Sequence, residues 1–222
     1  MNKLAALALA GVFATVASVS QAVTITVTAD GTFTPPPGSS FVLEDFESLG
    51  GTLDDAIPTA VGTFQAAGAV GSGGTVIPTA GDLVVRNDNA GGRFDVVGGA
   101  FYLDTNDNEA VIWNVDTGSA FDTIVFSITD ATDVGATLTI TADGGSTKSV
   151  DLSGLDNGNL QLITVKFGAV IPTASIVLEN SKINDGFGLD GAYVGVVPLP
   201  ASALLMLGGL GAIGALRLRR KA

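Results

Sequence analysis

Cysteine and histidine are both absent from the 222 residues. Their absence excludes disulfide frameworks, Cys or His zinc sites, thiol nucleophiles and imidazole bases, and with them a Ser-His-Asp triad. Basic residues are scarce, with 10 Lys and Arg against 22 Asp and Glu, for a net charge of −12. Half of them stand at the ends, as Lys3, Arg217, Arg219, Arg220 and Lys221, while every acid falls between Asp30 and Asp190. The middle therefore carries five basic residues (Arg86, Arg93, Lys148, Lys166, Lys182) against 22 acids, a net −17. Such a surface repels phosphate backbones and excludes nucleic acid as a partner; it suits divalent cations or simple solubility. Aromatics are few as well: one Trp, two Tyr and 11 Phe.

What is present begins at the N-terminus. A short polar start with Lys3 precedes an apolar run over 4–16, and Ser20-Gln21-Ala22 places small residues at the −3 and −1 positions of a cut after Ala22. This is the layout of a secretory signal peptide over 1–22, with an apolar part too short for a membrane span. The other end reads Val197-Pro198-Leu199-Pro200-Ala201, then an uncharged run over 202–216, then Arg217, Arg219, Arg220 and Lys221. A helix over 202–218, about 27 Å long when Ala201 is counted, just spans a bilayer core. The basic stop would stay on the cytoplasmic side and put the acidic domain outside.

The order of Val-Pro-Leu-Pro-Ala, short Gly-rich apolar helix and terminal basic cluster resembles the PEP-CTERM sorting signal, in its VPLPA variant. Leu199 stands where the commoner motif has Glu. The resemblance implies export by a Gram-negative cell through signal peptidase and a transient stay in the inner membrane. It further implies cleavage near the Pro motif by an exosortase and release to the cell surface or extracellular matrix. A permanent C-terminal anchor is the plainer alternative.

Between these ends the apolar residues alternate with polar ones at period two, over 23–28, 121–129, 136–142 and 160–167, with a shorter run at 175–179. These runs are rich in Val, Ile, Thr and Phe and are separated by turn signals such as Asp143-Gly144-Gly145 and Asn184-Asp185-Gly186. No stretch shows a period of 3.6. About ten to twelve short strands are expected, in an all-β antiparallel sandwich over 41–196 preceded by an edge strand and Pro-rich connector at 23–40. Three consecutive prolines at 35–37 keep that connector out of a central sheet. The Gly- and Ala-rich segment 66–81 reads as a long loop.

Two segments carry a second resemblance. Phe41-Val-Leu-Glu-Asp-Phe-Glu47 at the start and Asn184-Asp-Gly-Phe-Gly-Leu-Asp-Gly-Ala-Tyr-Val194 at the end are similar to jelly-roll domains of the carbohydrate-binding, galactose-binding-like type. The resemblance implies that the first and last strands pair and that their acids, Glu44, Asp45, Glu47 and Asp190, hold a structural calcium. A second calcium candidate comes from the residues themselves. Asp104, Asn106 and Asn108 alternate, with Asp107 and Glu109 between and beyond them. Calcium takes 6–8 oxygens at about 2.3–2.6 Å, although the glycine and terminal Glu of an EF-hand are missing. The plain alternatives are a rim of surface acids for the first set and a solvated turn for the second.

Twenty-two acids would supply a glycosidase-like carboxylate pair by chance alone, so they give no argument for hydrolysis, and the chain reads as non-enzymatic. Trp113 shares a strand face with Val111 and Val115 and is expected in the core rather than on a sugar platform. The expected function is an exported structural or adhesion-like β-sandwich. A carbohydrate-binding module for exopolysaccharide is the alternative.

Overall fold

The computed structural model describes residues 23–29, 31–71, 81–89, 91–131, 137–142, 146–151, 156, 158–181, 186–198 and 206. The expected signal segment over 1–22, Leu199, Pro200, Ala201 and the expected basic stop at Arg217, Arg219, Arg220 and Lys221 lie outside them. Among the described residues no helix is long and apolar enough to cross a membrane.

Among the described residues fourteen strands, numbered along the chain, form two antiparallel sheets. The eight-stranded sheet runs β1 (Thr24–Ala29), β12 (Leu160–Ile171), β9 (Phe121–Thr129), β14 (Gly188–Val196), β7 (Tyr102–Asp104), β6 (Leu83–Arg86) and β3 (Leu53–Asp54). Its remaining strand, β2 (Ser40–Glu44), also pairs with β14. The six-stranded sheet runs β11 (Ser146–Asp151), β10 (Thr137–Ala142), β13 (Ala174–Asn180), β8 (Asn108–Val115), β5 (Gly62–Val70) and β4 (Ala56–Thr59). The first and last strands of the sandwich proper pair as expected, with Ala192 opposite Glu44 and Tyr193 opposite Leu43.

The alternating runs become strands because their apolar faces meet between the sheets. Trp113 on β8 shows the contact most directly. It is fully buried, stacks on Phe64 of β5 at 4.8 Å and meets Phe126 of β9, in the facing sheet, edge-on at 5.6 Å. Its indole N–H donates to the Val61 carbonyl at 3.1 Å, so the one polar atom is satisfied without leaving the core. Phe46, Phe187, Ile124 and Leu178 fill the same cluster.

Two expectations change. Residues 66–70 are strand rather than loop: they extend β5, with Ala66 opposite Val111 and Ala67 opposite Ala110, and the ladder shifts register before Val70 meets Asn108. Small residues serve there because the ladder to a central strand supplies what side-chain packing does not. Residues 72–80 lie outside the described set. The second change concerns β9, whose alternation predicts a wet outer face. Ile124, Phe126 and Ile128 point into the core, but Thr123, Val125, Ser127 and Thr129 on the opposite face are buried too. On that outer face the segment 91–101 is tied down from Phe94 to Phe101.

Candidate functional site

The outer face of the eight-stranded sheet is built by acids that reach for backbone. Asp190, on β14, is 1% exposed. Its Oδ2 accepts the N–H groups of Val96 (2.7 Å) and Val97 (3.0 Å), and its Oδ1 accepts that of Gly191 (2.6 Å). Gly191 has φ +58, and a side chain there would press on Val97, so glycine is what lets the segment lie this close. Glu47 Oε1 accepts Ala100 N–H (2.6 Å) and Phe101 N–H (2.8 Å). On the core side of β2, Glu44 accepts Phe46 N–H at one oxygen and Ala60 N–H at the other, while Asp45 accepts Glu47 N–H. Burial pushes the Asp190 carboxyl up to about 8, with the neighbouring Asp95 side chain adding to it and the three N–H donors working the other way.

The four acids of the first calcium candidate are each engaged with backbone. Glu44, Asp45, Glu47 and Asp190 serve four different turns with their oxygens, and among the described residues no group of three acids is placed to hold a metal ion.

The second set is gathered around two arginines. Asp104 is fully buried, accepts from Arg93 at 3.0 Å and from Arg86 at 3.2 Å, and caps Asn106 N–H at 2.8 Å. Arg86 is gripped by both oxygens of Asp88, which holds that carboxyl below its ordinary value, and Arg93 Nε lies 3.7 Å from Asp130. Asn106 donates to the Asp82 carbonyl, and Glu109 accepts Ala69 N–H at 2.7 Å.

The turn itself is buried, not solvated: Asp104 through Asn108 are all under 8% exposed. Asn106 and Asp107 take left-handed φ values of 48° and 59°, and Thr105 exchanges hydrogen bonds with Phe187 through N–H and Oγ1. The segment is a plug that joins β7 to the entry of β14. Sequence reasoning missed the two arginines that centre it. Their signal was there: a cation among so many acids is expected to be paired, and Arg86 and Arg93 are two of the five in the middle.

Beside the pinned segment lies an aromatic cluster. Leu43 of β2 stands opposite Tyr193 on β14, and Phe41 opposite Gly195, all on the face away from Val42 and Val194, which pack on the core. Phe33, from the Pro-rich connector, packs edge-on against Tyr193 at 5.0 Å and Phe41 at 5.3 Å. The three rings are half-buried and Leu43 is 40% exposed. Burial raises the Tyr193 phenol above its ordinary value, helped by the charges of Asp190 and Asp45, so its O–H stays a donor at neutral pH. The arrangement presents apolar ring surface and a phenol donor within the field of Asp190 and Asp45.

No family model matches the chain, and no curated protein does. Among solved structures it is similar to the CBM35 from Cellvibrio japonicus Abf62, at 18% identity and a TM-score of 0.30, over 50% of this chain and 91% of that one. A family 6 carbohydrate-binding module is similar at 18% identity and a TM-score of 0.30, over 62% and 95%. The K1 cleaved adhesin domain of Lys-gingipain from Porphyromonas gingivalis W83 is similar at 11% identity and a TM-score of 0.30, over 72% and 99%.

Of the Val-Pro-Leu-Pro-Ala segment expected to be a sorting motif, Val197 and Pro198 are described. The Val197 N–H donates to Asp122 Oδ1 at 3.1 Å, directly after β14 ends at Val196.

Proposed function

We propose that the chain is an exported, non-catalytic β-sandwich that binds polysaccharide at the cell surface or in the extracellular matrix, after signal peptidase and exosortase processing. The observation that supports binding is the half-exposed cluster of Phe33, Phe41 and Tyr193 on the outer face. Sugar rings offer C–H faces that stack on aromatic surface and hydroxyls that need a donor and an acceptor, and Tyr193 with Asp45 supplies these together. Asp190, Glu47 and Asp45 are engaged in holding backbone rather than standing as a free pair, which supports a binding rather than a hydrolytic role. Delivery is read from the Ser20-Gln21-Ala22 boundary and the Val197–Ala201 motif with its basic stop.

A glycan and polysaccharide array tests the binding. The domain over 23–196 should retain at least one acidic or neutral polysaccharide. Tyr193→Ala should weaken it about tenfold, the scale of one aromatic contact of about 1.4 kcal/mol. Full retention by Tyr193→Ala would remove the aromatic cluster from the site. No retention of any polysaccharide would leave the structural or adhesive role.

A further inference from the structure

The eight-stranded sheet has two unlike flanks. On one, the ladder of β12 with β9 runs in register to Lys166 opposite Thr123 and resumes only at Ile171 opposite Phe121, so the residues between bulge away from β9. Among the described residues β1 pairs with β12 no further than Thr24 opposite Lys166, and Gly168, Ala169 and Val170 stand exposed beyond it. The bulge opens a groove of about 350 Å³, walled by Asp122, Lys166, Gly168, Ala169, Val170 and Val197. Of its two charges, the Asp122 carboxylate already accepts the Val197 N–H (3.1 Å) and the Thr123 hydroxyl (2.8 Å). Lys166 is exposed, and none of the ion pairs formed among the described residues involves it.

The other flank is β3, two residues long. Leu53 is 40% exposed, and Asp54 and Asp55 follow it into solvent. A hydrogen bond with the Asp54 side chain and the Asp54 charge, with Asp82 adding to them, hold the Asp55 carboxyl above its ordinary value. None of the ion pairs among the described residues reaches these three acids. Acids on an edge strand keep another strand from adding to the ladder, but they do not account for a leucine left bare beside them.

We propose that the two flanks are halves of one contact between copies of this chain, with Leu53 of one copy seated against Ala169 and Val170 of the next and with Asp54 and Asp55 facing Lys166. Polarity and charge select this occupant. The groove suits an apolar side chain carried beside an anion, and β3 offers both. Leu43 is equally exposed, but it belongs to the aromatic cluster and the acid next to it, Glu44, is buried. The middle of the chain, at −17, repels its own copies, so an attractive contact has to use a cation that is not already paired. The flanks differ and lie at opposite ends of the sheet, so the contact is heterologous. Each joined pair keeps one free groove and one free β3, and copies add in a row. Polysaccharide has no part in this contact.

The absence of cysteine makes a clean test possible. The full chain carrying Leu53→Cys with Ala169→Cys, purified in mild detergent without polysaccharide, should give a ladder of multimers on mild oxidation. Its two thiols sit at opposite flanks of one sheet and can meet only between molecules. Val70→Cys with Ala169→Cys, whose first thiol is as exposed but lies in the other sheet, should give several-fold less. In the 53/169 chain, Lys166→Glu should lower the ladder several-fold, and so should Asp54→Lys with Asp55→Lys. Combining the two sets exchanges the charges and should restore it. Equal ladders from the 53/169 and 70/169 chains, or a ladder indifferent to Lys166→Glu, would overturn the proposal. A chain that forms the ladder yet is retained by no polysaccharide would uphold this contact and remove only the binding reading.

Discussion

Asp190 holds three backbone N–H groups of the outer face with a single carboxylate. Removing it strands buried donors at about 1–3 kcal/mol each, so Asp190→Ala should cost at least about 3 kcal/mol. Its titration has a sign that can be worked through. The folded carboxyl is pushed up to about 8 from an ordinary 3.8, so the folded chain keeps a proton that the unfolded chain gives up near pH 4. This contribution to stability is complete below about pH 4 and is lost as pH rises through about 8. Urea unfolding at pH 5 and pH 9 should therefore give a lower midpoint at the higher pH. Asp190→Asn, which cannot ionise, should flatten that difference; an unchanged slope in Asp190→Asn would place the titration elsewhere. Single residues were only partly legible. Trp113 announced its inward face through Val111 and Val115, and the structure buries it completely. The role of Asp190 was not visible, because its partners Val96 and Val97 give no side-chain signal and lie far off in sequence.

At the scale of elements, β14 organises the sheet. It carries β9 on one side and both β7 and β2 on the other, the first over residues 188–189 and the second over 192–196. Asp190 falls in the gap between those two partners, where the segment 91–101 comes down on it. The approach of β2 depends on Gly195, since a Cβ there would overlap the Ser40 carbonyl oxygen and crowd the Phe41 ring. Gly195→Ala should displace β2, cost about 1–3 kcal/mol of overpacking and lower the melting temperature by about 3–10 °C. A variant that melts with the wild type would show that β2 yields freely. The β2–β14 pairing was legible, because two terminal segments matched the ends of a known sandwich type. The coverage of β9 was not. Period-two alternation reports which side faces the core, but whether the other side meets water depends on a loop with no periodicity of its own, here 91–101.

Among the described residues, part of the excess of acids is internalised as structure. Glu44, Glu47, Asp104 and Asp190 hold backbone or arginine, and two of the five basic residues of the middle, Arg86 and Arg93, are committed to the Asp104 cluster. Millimolar calcium should accordingly raise the melting temperature of the domain no further than NaCl of matched ionic strength, which relieves the same self-repulsion by screening. A larger increment with calcium, abolished in Asp190→Asn, would mean that the N–H pins open to admit the ion. The acids were conspicuous in the sequence, but their partners were set by loop paths that no spacing encodes.

The strand that leads out of the domain is also its best-braced one. If the C-terminus is ever held fast, at a membrane or in a matrix, tension arriving through Val197 enters β14 without an intervening linker. An edge strand would unzip one hydrogen bond at a time under such a pull. β14 is clamped along both sides by β9, β2 and β7, so the load must shear several ladders together. A C-terminal tether would thus join the domain at a strand braced on both sides, and the middle of the sheet would set the mechanical strength of a molecule held that way.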